Sequence, residues 1–229
     1  MRDDDTSWDE DVRLAVYHAF ARHGRAPAAP ELADAAGGSL AVAKQALHRL
    51  AGAHHLVLDE CEHVVLAHPF AAKSLGFSVM GSATLWWGGC AWDSFAIPHL
   101  VDGEPEVLVA TRCPGCGQPH ALVVNRTAPP EGGQMAHFLV PAARMWDDVL
   151  HTCAHQRLFC RESCVDAWLA ETGRTKGAVL DLATLWQLAR GWYAGRLERG
   201  YRRREPDDAA AYFAEAGLTG PFWAATAGV

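Results

Sequence analysis

Trp86-Trp87-Gly88-Gly89-Cys90-Ala91-Trp92-Asp93-Ser94-Phe95 is the stretch on which the reading of this chain turns. The glycine pair makes a bend, and the spacing after it predicts a helix over Ala91–Ile97. Cys90 and Asp93 stand at i and i+3, so they share a face of the first helical turn. A thiol at a helix N-terminus is expected to ionise more readily than a free one. Trp86, Trp87, Trp92 and Phe95 make the surroundings apolar. Such a pocket pushes a carboxylate toward its protonated form, able to give and take a proton near neutral pH. The same residues also read as a buried cysteine beside a capping aspartate, and spacing alone leaves both readings open.

Two further cysteine clusters follow, Arg112-Cys113-Pro114-Gly115-Cys116-Gly117 and Leu158-Phe159-Cys160-Arg161-Glu162-Ser163-Cys164. A Cys-x-x-Cys with Pro-Gly inside is a tight knuckle that aims two sulfurs at one metal. Cys160 and Cys164, one helical turn apart, could complete a tetrahedral four-thiolate zinc site with Cys113 and Cys116. The pattern resembles zinc-ribbon and treble-clef knuckles. The alternative is a turn held by Pro114 and Gly115 over free, buried thiols. A thioredoxin-like redox pair fits less well, because no βαβ unit follows. His120 is a candidate to replace one thiolate. Arg202-Arg203-Arg204 reads as a solvated helix end.

Around these clusters the texture is α+β. Strand-like runs fall at Gly76–Val79, Val107–Ala110, Ala121–Val124 and Met135–Val140. Helices are expected at Ala91–Ile97, Ala142–His155, Cys164–Thr172, Leu182–Gly195 and Asp207–Ala216. The expected core is a small, mainly antiparallel sheet in a mixed domain over residues 70–200. A C-terminal extension with a short helix over 201–229 follows, alanine-rich and solvated at its end. Before Pro69 the pattern differs. An acidic leader over residues 1–7 precedes a helix from Trp8 to Arg22, a short helix over Glu31–Ala36, and a third helix capped by Ser39. A hairpin over residues 56–66 completes a winged-helix-like module over 1–69. This module carries six Lys/Arg against eleven Asp/Glu. A phosphate-backbone reader is normally basic, so nucleic acid is not an expected partner; a helical cap on the second domain is the plainer role.

Composition bounds the rest. The 229 residues are half hydrophobic, with 21% charged and a net charge of -7, which is globular and excludes a largely disordered chain. Nine Trp must be mostly core or pocket lining. The acidic start Met1–Glu10 does not read as a signal peptide, and no apolar run is long enough to span a membrane. Seven cysteines without an export signal point to a reducing cytoplasm, where clustered thiols bind metals or react.

Taken in order, Cys90-Ala91-Trp92-Asp93, Thr111-Arg112-Cys113, Ala121-Leu122-Val123-Val124, Phe159-Cys160, Trp168 and Gly177-Ala178-Val179-Leu180-Asp181-Leu182 resemble the organomercurial (alkylmercury) lyases. The resemblance spans roughly residues 10 to 195. It implies a lyase that cleaves carbon–mercury bonds by protonolysis without an organic cofactor. Cys90, Asp93 and Cys160 match the family's reacting residues, with Cys90 and Cys160 as mercury ligands and Asp93 as proton shuttle. Soft mercury prefers thiolates to oxygen or nitrogen. The expected partners are a small organomercurial, cellular thiols, and a mercuric reductase to accept the bound Hg(II). The chain departs from the family pattern at Arg161, at the compressed segment Glu162–Trp168, and by adding Cys164 and Cys116. These departures coincide with the zinc knuckle. A zinc on Cys160 would take that residue away from mercury and leave Cys90 and Asp93 to act on another substrate, or leave a metal-binding protein without lyase activity.

Overall fold

The computed structural model describes residues 2–224, with side chains from Trp8 onward. Three helices come first: α1 (Arg2–His23), α2 (Ala29–Ala35) and α3 (Leu40–Gly52). The Ser39 hydroxyl accepts from Val42 N at 3.3 Å and starts α3, as its position before an apolar run requires. Five short strands follow: β1 (Val57–Leu58), β2 (Val64–Ala67), β3 (Phe70–Ala71), β4 (Phe77–Met80) and β5 (Leu85–Gly88). Then come α4 (Ala91–Leu100), the hairpin β6 (Glu106–Arg112) and β7 (Pro119–Asn125), and β8 (Met135–Phe138). The remainder is α5 (Val149–Ala154), β9 (Gln156–Phe159), α6 (Glu162–Thr172), β10 (Ala178–Asp181), α7 (Leu182–Trp192) and α8 (Pro206–Glu215).

The strands form two sheets, ordered β1-β2-β3-β5-β4-β6-β7 and β10-β8-β9. Every pairing is antiparallel. The architecture is thus α+β as expected, but the larger sheet has seven strands rather than a few. The reason lies in the hairpin after α3. Its strand β2 pairs with β3 through Leu66↔Ala71 and Ala67↔Phe70, so the sheet runs unbroken across the expected boundary at residue 69. In β6 and β7 the alternation is clean: Val107, Val109, Leu122 and Val124 face the core while Leu108 and Val123 face out.

α4 lies at the centre. Ala91 through Pro98 are all buried, with the polar Asp93 and Ser94 enclosed among apolar neighbours. It packs on the inner face of the large sheet, on β9 and on α7. The N-terminal helices are tied to it indirectly: Trp86 Nε1 of β5 donates to Phe20 O at 2.8 Å. The buried guanidinium of Arg13 donates to Arg196 O and Glu198 O, both at 2.6 Å.

Several elements differ from the sequence reading. α1 starts at Arg2, not after a leader. The helix expected over residues 142–155 is a 3-10 turn at Ala142–Arg144 and a separate α5, because the Asp148 carboxylate accepts from His151 N at 2.9 Å and caps a new start. β3, β5, β9 and β10 were not expected as strands; each has four residues or fewer. Within the C-terminal extension, Phe213, Leu218 and Trp223 join the core, while most of the residues between them are exposed or half-buried. Phe213 of α8 stacks on Trp192 at 5.2 Å and Trp223 packs on Phe138. The alanine-rich end beyond lies outside the described residues.

Candidate active site

β5 ends at Gly88, and Gly89 leads into Cys90, the N-cap of α4. The glycines are needed for space. A Cβ on Gly88 would lie 2.1 Å from Ser94 Oγ, and one on Gly89 would lie 2.3 Å from Asp93 Oδ2. This tight passage points the Cys90 sulfur into the core, where it accepts from Asp93 N at 3.4 Å and donates to Gln156 Oε1 at 2.9 Å.

The Asp93 carboxylate is fully buried and has three side-chain partners. Its Oδ1 accepts from the Tyr193 hydroxyl. Its Oδ2 lies 3.0 Å from His68 Nδ1 and accepts from the thiol of Cys153 at 3.9 Å. Cys153, on α5, is buried and lies on the same cavity as Cys90, close enough for each thiol to shift the other's pKa. Cys90, Asp93, His68 and Cys153 line one cavity of about 280 Å³, with Trp92, Trp146, Trp192 and Tyr193 also on its walls. Arg203 and Arg204 also line this cavity, and the Arg203 guanidinium stacks 4.1 Å from the Trp146 ring.

Burial decides the electrostatics. It pushes the Cys90 thiol well above its ordinary range, reinforced by Cys153 and the Asp93 charge; the Asp93 N–H at the helix start opposes this and loses. The expectation of a thiol activated by its helix terminus is therefore overturned: the favourable end of one helix cannot offset complete removal from water. For Cys153, the contact with Cys90 lowers its pKa, but burial and Asp93 raise it further, and the net shift is upward. Tyr193 is likewise raised by burial and by Asp93, so it stays a phenol and a hydrogen-bond donor. Both cysteines are thus held as neutral thiols around an acceptor carboxylate. An incoming soft cation can displace their protons, and the carboxylate is placed to receive one.

The sequence reading brought Cys90 and Asp93 together, and so does the structure. It does not bring Cys160 to them. Cys160 follows β9 and joins Cys113, Cys116 and Cys164, whose sulfurs all lie within 4.8 Å of one another. Its place beside Cys90 is taken by Cys153. The physical reason is direction: β9 leads away from the cavity, so residues 153 and 156 face α4 while residue 160 lies at the far end. His120 sits at the edge of the four-cysteine cluster, 3.9 Å from Cys160 Sγ. Cys153, His68, Gln156 and Tyr193 went unassigned in the sequence. One signal was present for Cys153: once the two knuckles claim four sulfurs, only Cys61, Cys90 and Cys153 remain, and Cys61 sits among Asp59, Glu60 and Glu62.

Three comparisons bear on this geometry. No curated protein matches the chain. A solved structure titled "Crystal structure of the mercury-bound form of MerB2" matches with a TM-score of 0.61 and 14% identity, covering 84% of this chain and 100% of that one. At that identity the likeness speaks for the fold. The family model described as "MerB: Alkylmercury lyase" matches residues 70–194, more than half of the chain and the segment that carries Cys90, Asp93, Cys153 and Tyr193. The chain belongs to the alkylmercury lyase family.

Proposed function

We propose that the chain is an organomercurial lyase whose reacting groups are Cys90, Cys153 and Asp93. The observation that carries this reading is the meeting of two buried thiols and one buried carboxylate in a single cavity. The Cys90 sulfur captures the mercury of R–Hg–X, and its proton leaves with X. Asp93 Oδ2 removes the proton of the Cys153 thiol, and the resulting thiolate binds the same mercury. With two sulfurs donating to the metal, the carbon gains electron density, and protonated Asp93 delivers its proton there. The C–Hg bond breaks, RH leaves, and Hg(II) remains on two sulfurs. The residue types suit the metal, since mercury is soft and prefers thiolates.

The other groups have supporting roles. Tyr193 and His68 hold the carboxylate in place, and Gln156 orients the Cys90 sulfur. The tryptophan walls suit an apolar organic group and keep water from competing for the proton. External thiols, or a reductase, take the bound ion away. The free cysteines are suited to a reducing cytoplasm; no described helix is long and apolar enough to cross a membrane. Nucleic acid has no part in this reading. The two cations of α3 are engaged, Lys44 by Glu62 at 2.8 Å and Arg49 by Asp9 at 2.7 Å.

The test is hydrocarbon release from phenylmercury or methylmercury in excess thiol. Wild type is expected to release benzene or methane, and Cys153→Ser to lose turnover. Wild-type turnover by Cys153→Ser overturns the assignment of the second thiol.

A further inference from the structure

We infer that Cys113, Cys116, Cys160 and Cys164 form a closed four-thiolate zinc site that staples the two sheets together at the end of β9 away from the reactive thiols. The lyase chemistry above uses none of these sulfurs.

The local backbone builds a metal knuckle. Between β6 and β7, Gly117 N donates to Cys113 O at 2.8 Å and Cys113 N donates to Gln118 O at 2.9 Å, which folds Cys113–Gln118 into a tight loop. Gly115 lets that loop lie on the start of α6: a Cβ there would fall 2.1 Å from Cys164 O. On the other side, Cys160 directly follows β9 and Cys164 sits in the first turn of α6, with its N–H on Arg161 O at 3.0 Å. The close approach of the two loops therefore has a purpose in the backbone itself.

The sulfurs are gathered but not bonded to one another. All four lie within 4.8 Å, and all four are free thiols. Cys116 and Cys160 are 3.4 Å apart, far beyond a disulfide. A tetrahedral zinc with bonds near 2.3 Å sets its sulfurs about 3.8 Å apart, so the cluster needs only small adjustments to close on the ion. Among the described residues, no carboxylate joins the four sulfurs in this cluster. Four soft donors with no open position select a structural zinc rather than a hard cation or a catalytic metal.

The surroundings show what the ion would hold. Cys113, Phe159, Cys164, Val165 and Leu169 make a small apolar cluster separate from the main core. It lies where the tip of the β6–β7 hairpin meets the end of β9, the edge strand of the smaller sheet. So few apolar side chains bury little surface, and metal ligation supplies the missing folding energy there. β9 starts at Gln156, which holds the Cys90 sulfur, and Cys153 precedes it by three residues. A zinc at the far end of β9 thereby fixes the strand that sets the second thiol. This last step rests on the lyase reading; the zinc site itself does not.

The experiment is metal analysis of the full chain purified in reductant without added metal, with thermal melting before and after a strong chelator. About one zinc per chain is expected. Cys116→Ser and Cys164→Ser should lose the zinc and melt well below wild type, whereas Cys90→Ser and Cys153→Ser should keep wild-type zinc even when turnover is gone. In case the knuckle variants fail to fold, Co(II) is added to metal-stripped, reduced wild type. A tetrahedral cobalt spectrum with intense sulfur-to-metal charge-transfer bands, retained in Cys90→Ser, supports the site. Absence of zinc together with absence of that spectrum overturns the proposal, as do stoichiometric iron in place of zinc and undiminished zinc in both knuckle variants.

Discussion

The two cysteine regions of this molecule hold similar atoms in opposite surroundings. The Cys90–Cys153 pair is sealed in the core against the Asp93 carboxylate, and burial keeps both thiols protonated. The four-cysteine knuckle lies at the edge of the fold, with Cys113 and Cys164 buried, Cys160 half-buried, Cys116 exposed, and no acid joining them among the described residues. Thiols beside an acceptor carboxylate can pass a proton on; thiols gathered chiefly around one another are placed to share an ion. The neighbours of a sulfur, more than the sulfur itself, set its chemistry.

That contrast can be broken most decisively at the pair. Serine at position 90 or 153 replaces a soft ligand by a hard one, and turnover of phenylmercury should fall at least about a thousandfold. Asp93→Asn should retain organomercurial, read by equilibrium binding, while hydrocarbon release falls by about 10²–10⁴-fold, the range of one lost acid–base group. A matched loss of binding in Asp93→Asn would place the carboxylate in substrate capture instead of proton transfer.

At the knuckle the expected damage is to stability. Cys113→Ser should cost more than about 4 kcal/mol in denaturant unfolding, as losing a structural metal does, whereas the exposed Cys61→Ser should stay within about 0.5 kcal/mol. Equal, small effects at both positions would erase the distinction between the two regions. Tyr193→Phe removes one donor to Asp93 and should cost about 1–3 kcal/mol of stability, with turnover reduced and substrate retained.

The smallest effect concerns pH. The folded Cys90 thiol has a pKa above its ordinary value of 9.0, so below that value both states hold the proton and no difference arises. As pH rises past 9.0 the unfolded thiol ionises while the folded one does not, and stability is lost until the folded thiol also titrates. Denaturant midpoints between pH 8 and 10 should therefore fall less steeply in Cys90→Ala than in wild type.

What could be read from the sequence divides along the same line. The knuckles are local: Cys113 with Cys116, and Cys160 with Cys164, face each other by spacing alone, and the structure gathers the two halves, the second of the two placements that the sequence left open for Cys160. Cys90 and Asp93 are local too, one turn apart at the start of α4. Cys153 is not. Its approach to Cys90 depends on Asp148 starting a new helix and on β9 packing against α4, and neither is visible in a hydrophobic pattern. Tyr193 reaches Asp93 from the end of α7, a hundred residues on, with no short-range signal at all. The thiol pKa failed for a related reason: the helix end is a local feature, while burial is set by the whole fold.

Gly88 and Gly89 carry no functional group, yet a single methyl at either would intrude on Ser94 or on the Asp93 carboxylate. Emptiness is thus a working part of this site. A catalogue of variants that scored only reactive side chains would pass over both positions; under the proposed lyase reading, Gly89→Ala, with every thiol and carboxylate intact, should fold and yet lose turnover because its methyl displaces the Asp93 carboxylate.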